Sequence, residues 1–286
     1  MKIYILSDME GVAGVSTWDQ VAGEGDKYKY ACRLMTEEIN AAAEGAFSAG
    51  ATLVLVNDSH LAEHNLDLDI LDPRIEYLMG PGKNAWTGLD DSFTAVFQLG
   101  AHAMVGTSHA HLRHTWDPSC WAQVKVNGIS MGEIGIVAAG AGELGVPCTL
   151  VTGDDKACFE AAQLIPNIIK AQVKTGLTWQ SAQSLELKIA RDLIRESARQ
   201  ACLAAREIKP LILGNAPFDI EVLLIAEPAH NTYASSLEKD ELQRESSFVQ
   251  RASGVKFIEA FLSVLQSKPV PYKVFNVTNK ANKDEQ

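Results

Sequence analysis

The segment ILSDMEG, residues 5–11, ends a continuous apolar run with two carboxylates and a glycine. Because side chains alternate along a strand, Asp8 and Glu10 are expected to project to one side while Met9 points away. Two like charges at a sheet edge repel each other and resist desolvation. The pair therefore needs compensation by a cation, a shared proton or open water.

Around this segment the chain alternates apolar strands with helices. KIYILSD predicts a first strand, residues 30–51 an Ala-rich helix that closes at Gly50, and TLVLVNDSH a second strand. Later strands are predicted in RIEYLMG, FTAVFQLGAHAM and PCTLVTGDD, helices in GEIGIVAAGAGELG and DKACFEAAQLI, and a hairpin at Asn127-Gly128. The pattern predicts an α/β fold with a mostly parallel sheet flanked by helices, whose sites lie at the carboxyl ends of strands.

After about residue 182 the pattern changes to a smaller α+β layer. It contains a long amphipathic helix within residues 185–208, strands in FDIEVLLIAE and SSFVQRAS, and a helix in GVKFIEAFLSVLQ. We predict an α/β metal-binding catalytic domain over residues 1–182 and a smaller α+β domain, which could be discontinuous, over residues 183–278. Residues 279–286 are expected to form a disordered tail.

The composition has an acidic balance, with 25 Lys and Arg against 36 Asp and Glu and a net charge of −11. Nucleic-acid and anionic-membrane binders need a basic face, so neither partner is expected. The five cysteines form no Cys-x-x-Cys pair, which favours a reduced intracellular protein. The sequence has neither a signal peptide pattern nor an apolar stretch of the roughly 20 residues that a membrane helix needs. A cytoplasmic location is therefore expected.

Residues that can bind metal ions gather at the predicted strand ends, and one opens a helix. They are Asp8, Glu10, Asp58, His60, His102 and the helix-opening Glu133. Carboxylates mixed with imidazoles suit Zn²⁺ or Mn²⁺ better than Mg²⁺, and a bridging carboxylate makes a two-ion centre plausible. Each residue alone also has a structural reading, as a turn former, a hydrogen-bonded histidine or a first-turn acid. Their gathering along one sheet favours a site.

The segment SHAHLRHT offers His109, His111 and His114 in a predicted loop. The loop could simply be solvated, or one imidazole could act as an acid, a base or a nucleophile beside the metals. The residues themselves do not choose among the three. In TGDDK, by contrast, Asp154 or Asp155 is interpreted as the cap of the following helix.

Two pattern matches are set aside. GAGELG, residues 140–145, closes a helix before a strand, which is the reverse of the context that binds a pyrophosphate. GISMG, residues 128–132, surrounds Ser130 but begins in the Asn-Gly hairpin turn rather than after a central strand. Dinucleotide-binding and serine-hydrolase functions therefore lose most of their support.

Five motifs together resemble the zinc D-aminopeptidase (DppA) family, in order and with similar spacings from residue 1 to about residue 265. They are SDMEG, NDSH, LGAHA, NGISMGEIG and VTGDDKA. The resemblance implies that a dinuclear zinc centre is bound by Asp8, Glu10, His60, His102 and Glu133. It also implies a catalytic histidine on the following loop, for which His114 before Thr115 aligns best and His111 is the alternative. Arg113 departs from the small residue usual at its position.

The family resemblance implies hydrolysis of the N-terminal residue of short peptides, such as D-Ala-D-Ala, by a ring-like homodecamer. Asp8 is the expected bridge between the two ions, because its strand end is the most central. Another metal-dependent amidase or a phosphoesterase remains an alternative, with Arg113 as the nearby cation that a phosphate would need. A non-catalytic metal-binding or dipeptide-binding protein is the alternative from another class.

Overall fold

The computed structural model describes residues 1–61, 64–225 and 246–271, whose strands form two sheets. The first sheet contains β1 Lys2–Ser7, β2 Leu53–Asp58, β3 Glu76–Leu78, β4 Ala95–Ala101, β7 Cys148–Asp154, β8 Ile169–Thr178 and β9 Ser181–Ser184. The second contains β5 Trp121–Val126, β6 Ile129–Ser130, β10 Phe218–Ile225, β11 Ser246–Gly254 and β12 Val270–Pro271. The helices are α1 Trp18–Val21, α2 Asp26–Ser48, α3 Glu133–Glu143, α4 Asp155–Leu164, α5 Leu187–Ala204 and α6 Phe257–Gln266.

The first sheet has the strand order β3-β2-β1-β4-β7-β8-β9 and is parallel except for its last pair. The order runs outward from β1 through β2 on one side and through β4 on the other. Open α/β sheets bind ligands in the crevice at such a reversal. The predicted fold class is confirmed, since the smaller second layer is an antiparallel sheet.

Strand β1 is buried on both faces. Ile3 and Ile5 join a hydrophobic cluster with residues of α2 and α5, whereas Tyr4 and Leu6 join another with residues of α3, α4 and α6. This double burial explains why the strand reads as an unbroken apolar run rather than as an alternating one.

The second sheet has the order β12-β11-β10-β5-β6. Strands β5 and β6 form the predicted hairpin, in which Asn127 and Gly128 adopt φ values of 50° and 80°, as an Asn-Gly turn of type I′ requires. Because β5 pairs with β10, this sheet uses segments from both sides of residue 182, and α5 packs on α2. The domain division at residue 182 stays a prediction.

Three features differ from the sequence reading or lie beyond it. Strands β8 and β9 were not predicted, because polar residues of β8 such as Lys170 and Gln172 are exposed and interrupt its apolar run. Helix α2 begins at Asp26, one turn before the predicted start. The predicted tail lies outside the described residues, and no helix of the described part is long and apolar enough to cross a membrane.

Candidate metal centre

The chain just after β1 lies directly against the end of β4. The Asp8 amide donates to the Leu99 carbonyl at 2.9 Å, and the Gly11 amide donates to the Gly100 carbonyl at 2.7 Å. Gly100 has a φ of 67°, and a Cβ there would lie 2.0 Å from the Asp8 carbonyl oxygen. A side chain does not fit at this contact, so glycine is what allows the two segments to meet.

Asp8 and Glu10 lie in a turn, because β1 ends at Ser7. The strand alternation expected from the sequence is therefore wrong, although the two carboxylates do converge. Asp8 Oδ1 lies 2.8 Å and Glu10 Oε2 3.2 Å from Nδ1 of His60, which follows β2. We call Asp8, Glu10 and His60 the first triad.

A second triad consists of His102, His114 and Glu133. His102 follows β4, His114 belongs to the loop before β5, and Glu133 is the first residue of α3. Glu133 Oε1 lies 3.4 Å from His102 Nε2 and 3.8 Å from His114 Nε2, and the two imidazole rings stack with centroids 3.9 Å apart. Within each triad, the potential ligand atoms lie within 4.8 Å of one another.

Asp8 faces both triads. Its Oδ1 is the oxygen near His60, while its Oδ2 lies 3.4 Å from His102 Nε2. A carboxylate with one oxygen toward each group has the arrangement of a bridge between two ions. The five predicted ligands and His114 thus meet at the reversal of strand order between β1 and β4.

The donor atoms fit a metal centre. A backbone carbonyl lies beside one nitrogen of each imidazole: Val21 O at 2.7 Å from His60 Nε2, Ala103 O at 3.1 Å from His102 Nδ1, and Leu112 O at 3.0 Å from His114 Nδ1. When these nitrogens donate, the other nitrogen of each ring presents a lone pair toward carboxylates. Within the described part of the chain, Glu10 Oε2 and His102 Nε2 are buried without a hydrogen-bond partner. Bound cations would satisfy these atoms.

Comparison with known proteins shows the family to which the chain belongs. A family model described as D-aminopeptidase matches residues 1–247. The chain belongs to the D-aminopeptidase family. The predicted family and the predicted class of enzyme, a peptidase, are confirmed.

A sequence comparison and a structure comparison each align this chain with a Bacillus subtilis D-aminopeptidase along nearly its full length. A D-aminopeptidase of Bacillus subtilis (strain 168) is 33% identical over 276 residues, which cover 93% of this chain and 96% of the relative. The solved structure of the Zn-dependent D-aminopeptidase DppA from Bacillus subtilis, described as a self-compartmentalizing protease, matches with a TM-score of 0.80 and 27% identity. That match covers 93% of this chain and 97% of the other.

The electrostatics of this D-aminopeptidase family member favour cations at the two triads. Burial alone would lower the pKa of His60 and His102, but carboxylates outweigh it and raise both pKa values well above the usual range. Glu10 is the strongest such influence on His60, and Glu133 on His102. Burial would raise the pKa of Asp8, yet these two imidazoles hold it below its usual value. Carboxylates that draw protons onto imidazoles attract a metal ion by the same electrostatics.

The three loop histidines have different surroundings. His114 is in the second triad, whereas the buried His111 has its Nε2 3.0 Å from the Ser16 carbonyl, and its amide donates to Asp154. Burial lowers the pKa of His111 to about 3, which keeps this imidazole neutral. His109 is exposed, with Nδ1 3.1 Å from the Leu177 carbonyl. The catalytic role of His114 stays a prediction.

Other candidate residues have structural contacts. The carboxylate of Asp154 caps α4 by accepting from two backbone amides, as predicted. Asp58 is buried and accepts from the backbone and side-chain amides of Asn65, at 2.6 and 2.8 Å. The Trp116 amide donates to Glu133 Oε1 at 2.7 Å, which ties the histidine loop to the second triad.

Helix α1 contacts both triads and was not predicted. The carbonyl of Val21 lies beside His60, while the indole of Trp18 meets His114 edge-on, with centroids 6.0 Å apart, and stacks on Trp179. At four residues, α1 is too short to show helical periodicity. Thr17 followed three residues later by Gln20 forms a capping box, the one sequence signal that could have revealed it.

Proposed function

We propose that the chain is a dinuclear zinc aminopeptidase that removes the N-terminal residue of short peptides, with D-amino-acid peptides such as D-Ala-D-Ala as substrates. The observation that carries the two-ion centre is the position of Asp8, whose two oxygens face separate triads. Zinc and the preference for D-residues rest on the names of the family and of its solved relative.

In this proposal Asp8, Glu10 and His60 hold one ion, and Asp8, His102 and Glu133 hold the other. Zinc, when bound at these residues, supplies a Lewis acid that polarises the scissile carbonyl and lowers the pKa of a water molecule. The backbone carbonyls beside the imidazoles fix the ring orientations.

His114 is the proposed catalytic residue, and its task is to pass a proton to the leaving amine. Its Nδ1 is 3.0 Å from the Leu112 carbonyl, so its Nε2 is the nitrogen directed toward Glu133. The same position would also suit a fourth protein ligand of the second ion, beside Asp8, His102 and Glu133. Metal content separates the two roles, because loss of a ligand releases metal and loss of a proton-transfer group does not.

We also propose that the chain assembles with copies of itself into a ring-like decamer. The proposal rests on the solved relative, which is described as a self-compartmentalizing protease. Closed rings need apolar surface on each subunit, and Ile129, Ile212 and Val255 are exposed. Light scattering of the purified protein would measure the number of subunits, and a monomer at micromolar concentration would contradict the assembly.

The deciding experiment is zinc content per subunit, paired with release of D-alanine from D-Ala-D-Ala and of L-alanine from L-Ala-L-Ala. About two zinc ions with faster release of D-alanine are expected. Two ions without turnover of either peptide would redirect the centre to another amide, to a phosphate ester or to binding alone. A metal-replete preparation that holds no zinc would overturn the metal centre itself.

A further inference from the structure

Lys174 lies far from the triads in sequence, on β8, yet it contacts the turn that carries two of the ligands. Its side chain is buried, with only 2% of the residue exposed. The ammonium donates to the carbonyls of Glu10, Val12 and Val15, at 2.6, 2.9 and 2.8 Å. All three of its protons are thereby used, and the bonds link residues about 160 positions apart.

Three carbonyls within six residues that point at one cation form a cage of the kind that binds metal cations, and here the ammonium fills it. The same segment also contacts Glu38, whose Oε1 accepts from the Ala13 amide at 2.8 Å. Lys174 thus donates to three carbonyls of this segment, and Glu38 accepts from one of its amides. The loop of residues 10–15 is therefore held at four backbone atoms by two buried side chains, those of Lys174 and Glu38.

We propose that Lys174 is a positioning residue of the metal centre, which fixes this loop so that Glu10 shares an ion with Asp8 and His60. Its bond to the carbonyl of Glu10 is made at the ligand residue itself. The second triad arises from the end of β4, from α3 and from the histidine loop, and Lys174 bonds to a different segment. The inference rests on the proposed metal site, and it assigns Lys174 to the first triad alone.

The test compares zinc affinities in single variants by competition with a chromophoric chelator. Lys174→Met removes every donor, and Lys174→Gln leaves two N–H donors without the charge. Lys156→Met is the matched control, because the Lys156 ammonium also donates to a carbonyl, that of Gly176, but does not contact residues 10–15. We expect Lys174→Met to weaken one of the two zinc ions by about tenfold or more, with Lys174→Gln intermediate and Lys156→Met unchanged.

Two double variants identify the weakened ion. Adding His102→Ala to Lys174→Met should leave no zinc ion bound with wild-type affinity, whereas adding His60→Ala should leave one ion, that of the second triad, bound with wild-type affinity. Equal weakening of both ions, unchanged affinities, or unfolding of both Lys174 variants would restrict Lys174 to folding and overturn the inference. A wild-type protein without zinc would instead overturn the proposed metal centre, so the two failures are distinguishable.

Discussion

The two triads contain similar side chains but are built from different parts of the fold. The first comes from residues immediately after two neighbouring parallel strands, β1 and β2. The second joins a residue after β4 to the first residue of a helix and to a histidine in a loop. Strand ends meet because parallel pairing aligns them, whereas the second triad depends on how a loop and a helix pack. The first is thus the part of the centre that a sequence pattern defines best.

The triads also differ in what holds them. Lys174 gathers carbonyls around the turn of the first triad. Near the second, Glu160 accepts from the Met104 amide at 2.8 Å, and its other oxygen abuts Gly132, where a Cβ would lie 2.4 Å away. A buried cation binds backbone acceptors on one side, and a buried carboxylate binds a backbone donor on the other.

Asp8→Ala should have the largest effect, because among the described residues Asp8 has one carboxylate oxygen beside each triad. We expect it to lose both zinc ions and all measurable turnover while circular dichroism shows the fold intact. Glu10→Ala, which touches only the first triad, should retain about one ion. Full metal content and activity in Asp8→Ala would contradict the assignment of Asp8 as a bridge between the two triads.

His114→Ala tests whether the second triad contains a catalytic group as well as ligands. It should keep its zinc, but its turnover rate should fall by roughly 10²- to 10⁴-fold, because proton transfer to the leaving amine is removed. His111→Ala serves as the comparison and should retain turnover. If His111→Ala shows that loss and His114→Ala does not, the assignment passes to His111; loss of one zinc in His114→Ala would make His114 a ligand.

Gly100→Ala tests the contact that brings the triads together. The new Cβ would meet the Asp8 carbonyl, so we expect a loss of roughly 2 to 4 kcal/mol in unfolding free energy and weaker zinc binding at both triads. Gly145→Ala is the control, since Gly145 has a φ of 78° but open space around its Cβ position. If the two variants lost equal unfolding free energy, the loss in Gly100→Ala would come from backbone strain at positive φ and not from the contact with the Asp8 carbonyl.

Glu38→Gln should change the pH dependence of stability and leave the zinc content unaltered. Burial raises the pKa of Glu38 from 4.5 to about 7 in the folded chain. Between these two values the folded state binds more protons than the unfolded state, so this group makes stability fall as pH rises, by at most about 3 kcal/mol. Denaturant titrations at several pH values should show that component missing in Glu38→Gln. Glu44→Gln, at an exposed position of α2, should retain the wild-type slope.

Sequence reasoning found most of the first sheet and the candidate ligands at its strand ends, because both produce local patterns, whereas the family resemblance set Asp58 aside and chose His114 among the three loop histidines. The apolar run of β1 and the polar residues at strand ends are visible without coordinates, and so is the Asn-Gly hairpin. The sequence predicted that Asp8 and Glu10 lie on the same side, and their carboxylates do converge on His60. The reason is a turn after β1 and not the alternation of side chains along a strand. The contribution of Lys174 could not be found, because a lysine within a moderately polar segment carries no sign that distant carbonyls surround it.

The order of the ligands and strands along the chain also sets the order in which they are synthesised. Every proposed ligand lies between residues 8 and 133, so a growing chain has its complete set of proposed ligands before β7 has been synthesised. The strand with Lys174 emerges later, and β10, the partner of the hairpin strand β5 that precedes Glu133, emerges only by residue 225. A nascent chain therefore carries all the proposed ligands before it has Lys174 and β10, which contribute to the framework around them. The proposed metal geometry can therefore be complete only after residue 225 has been synthesised.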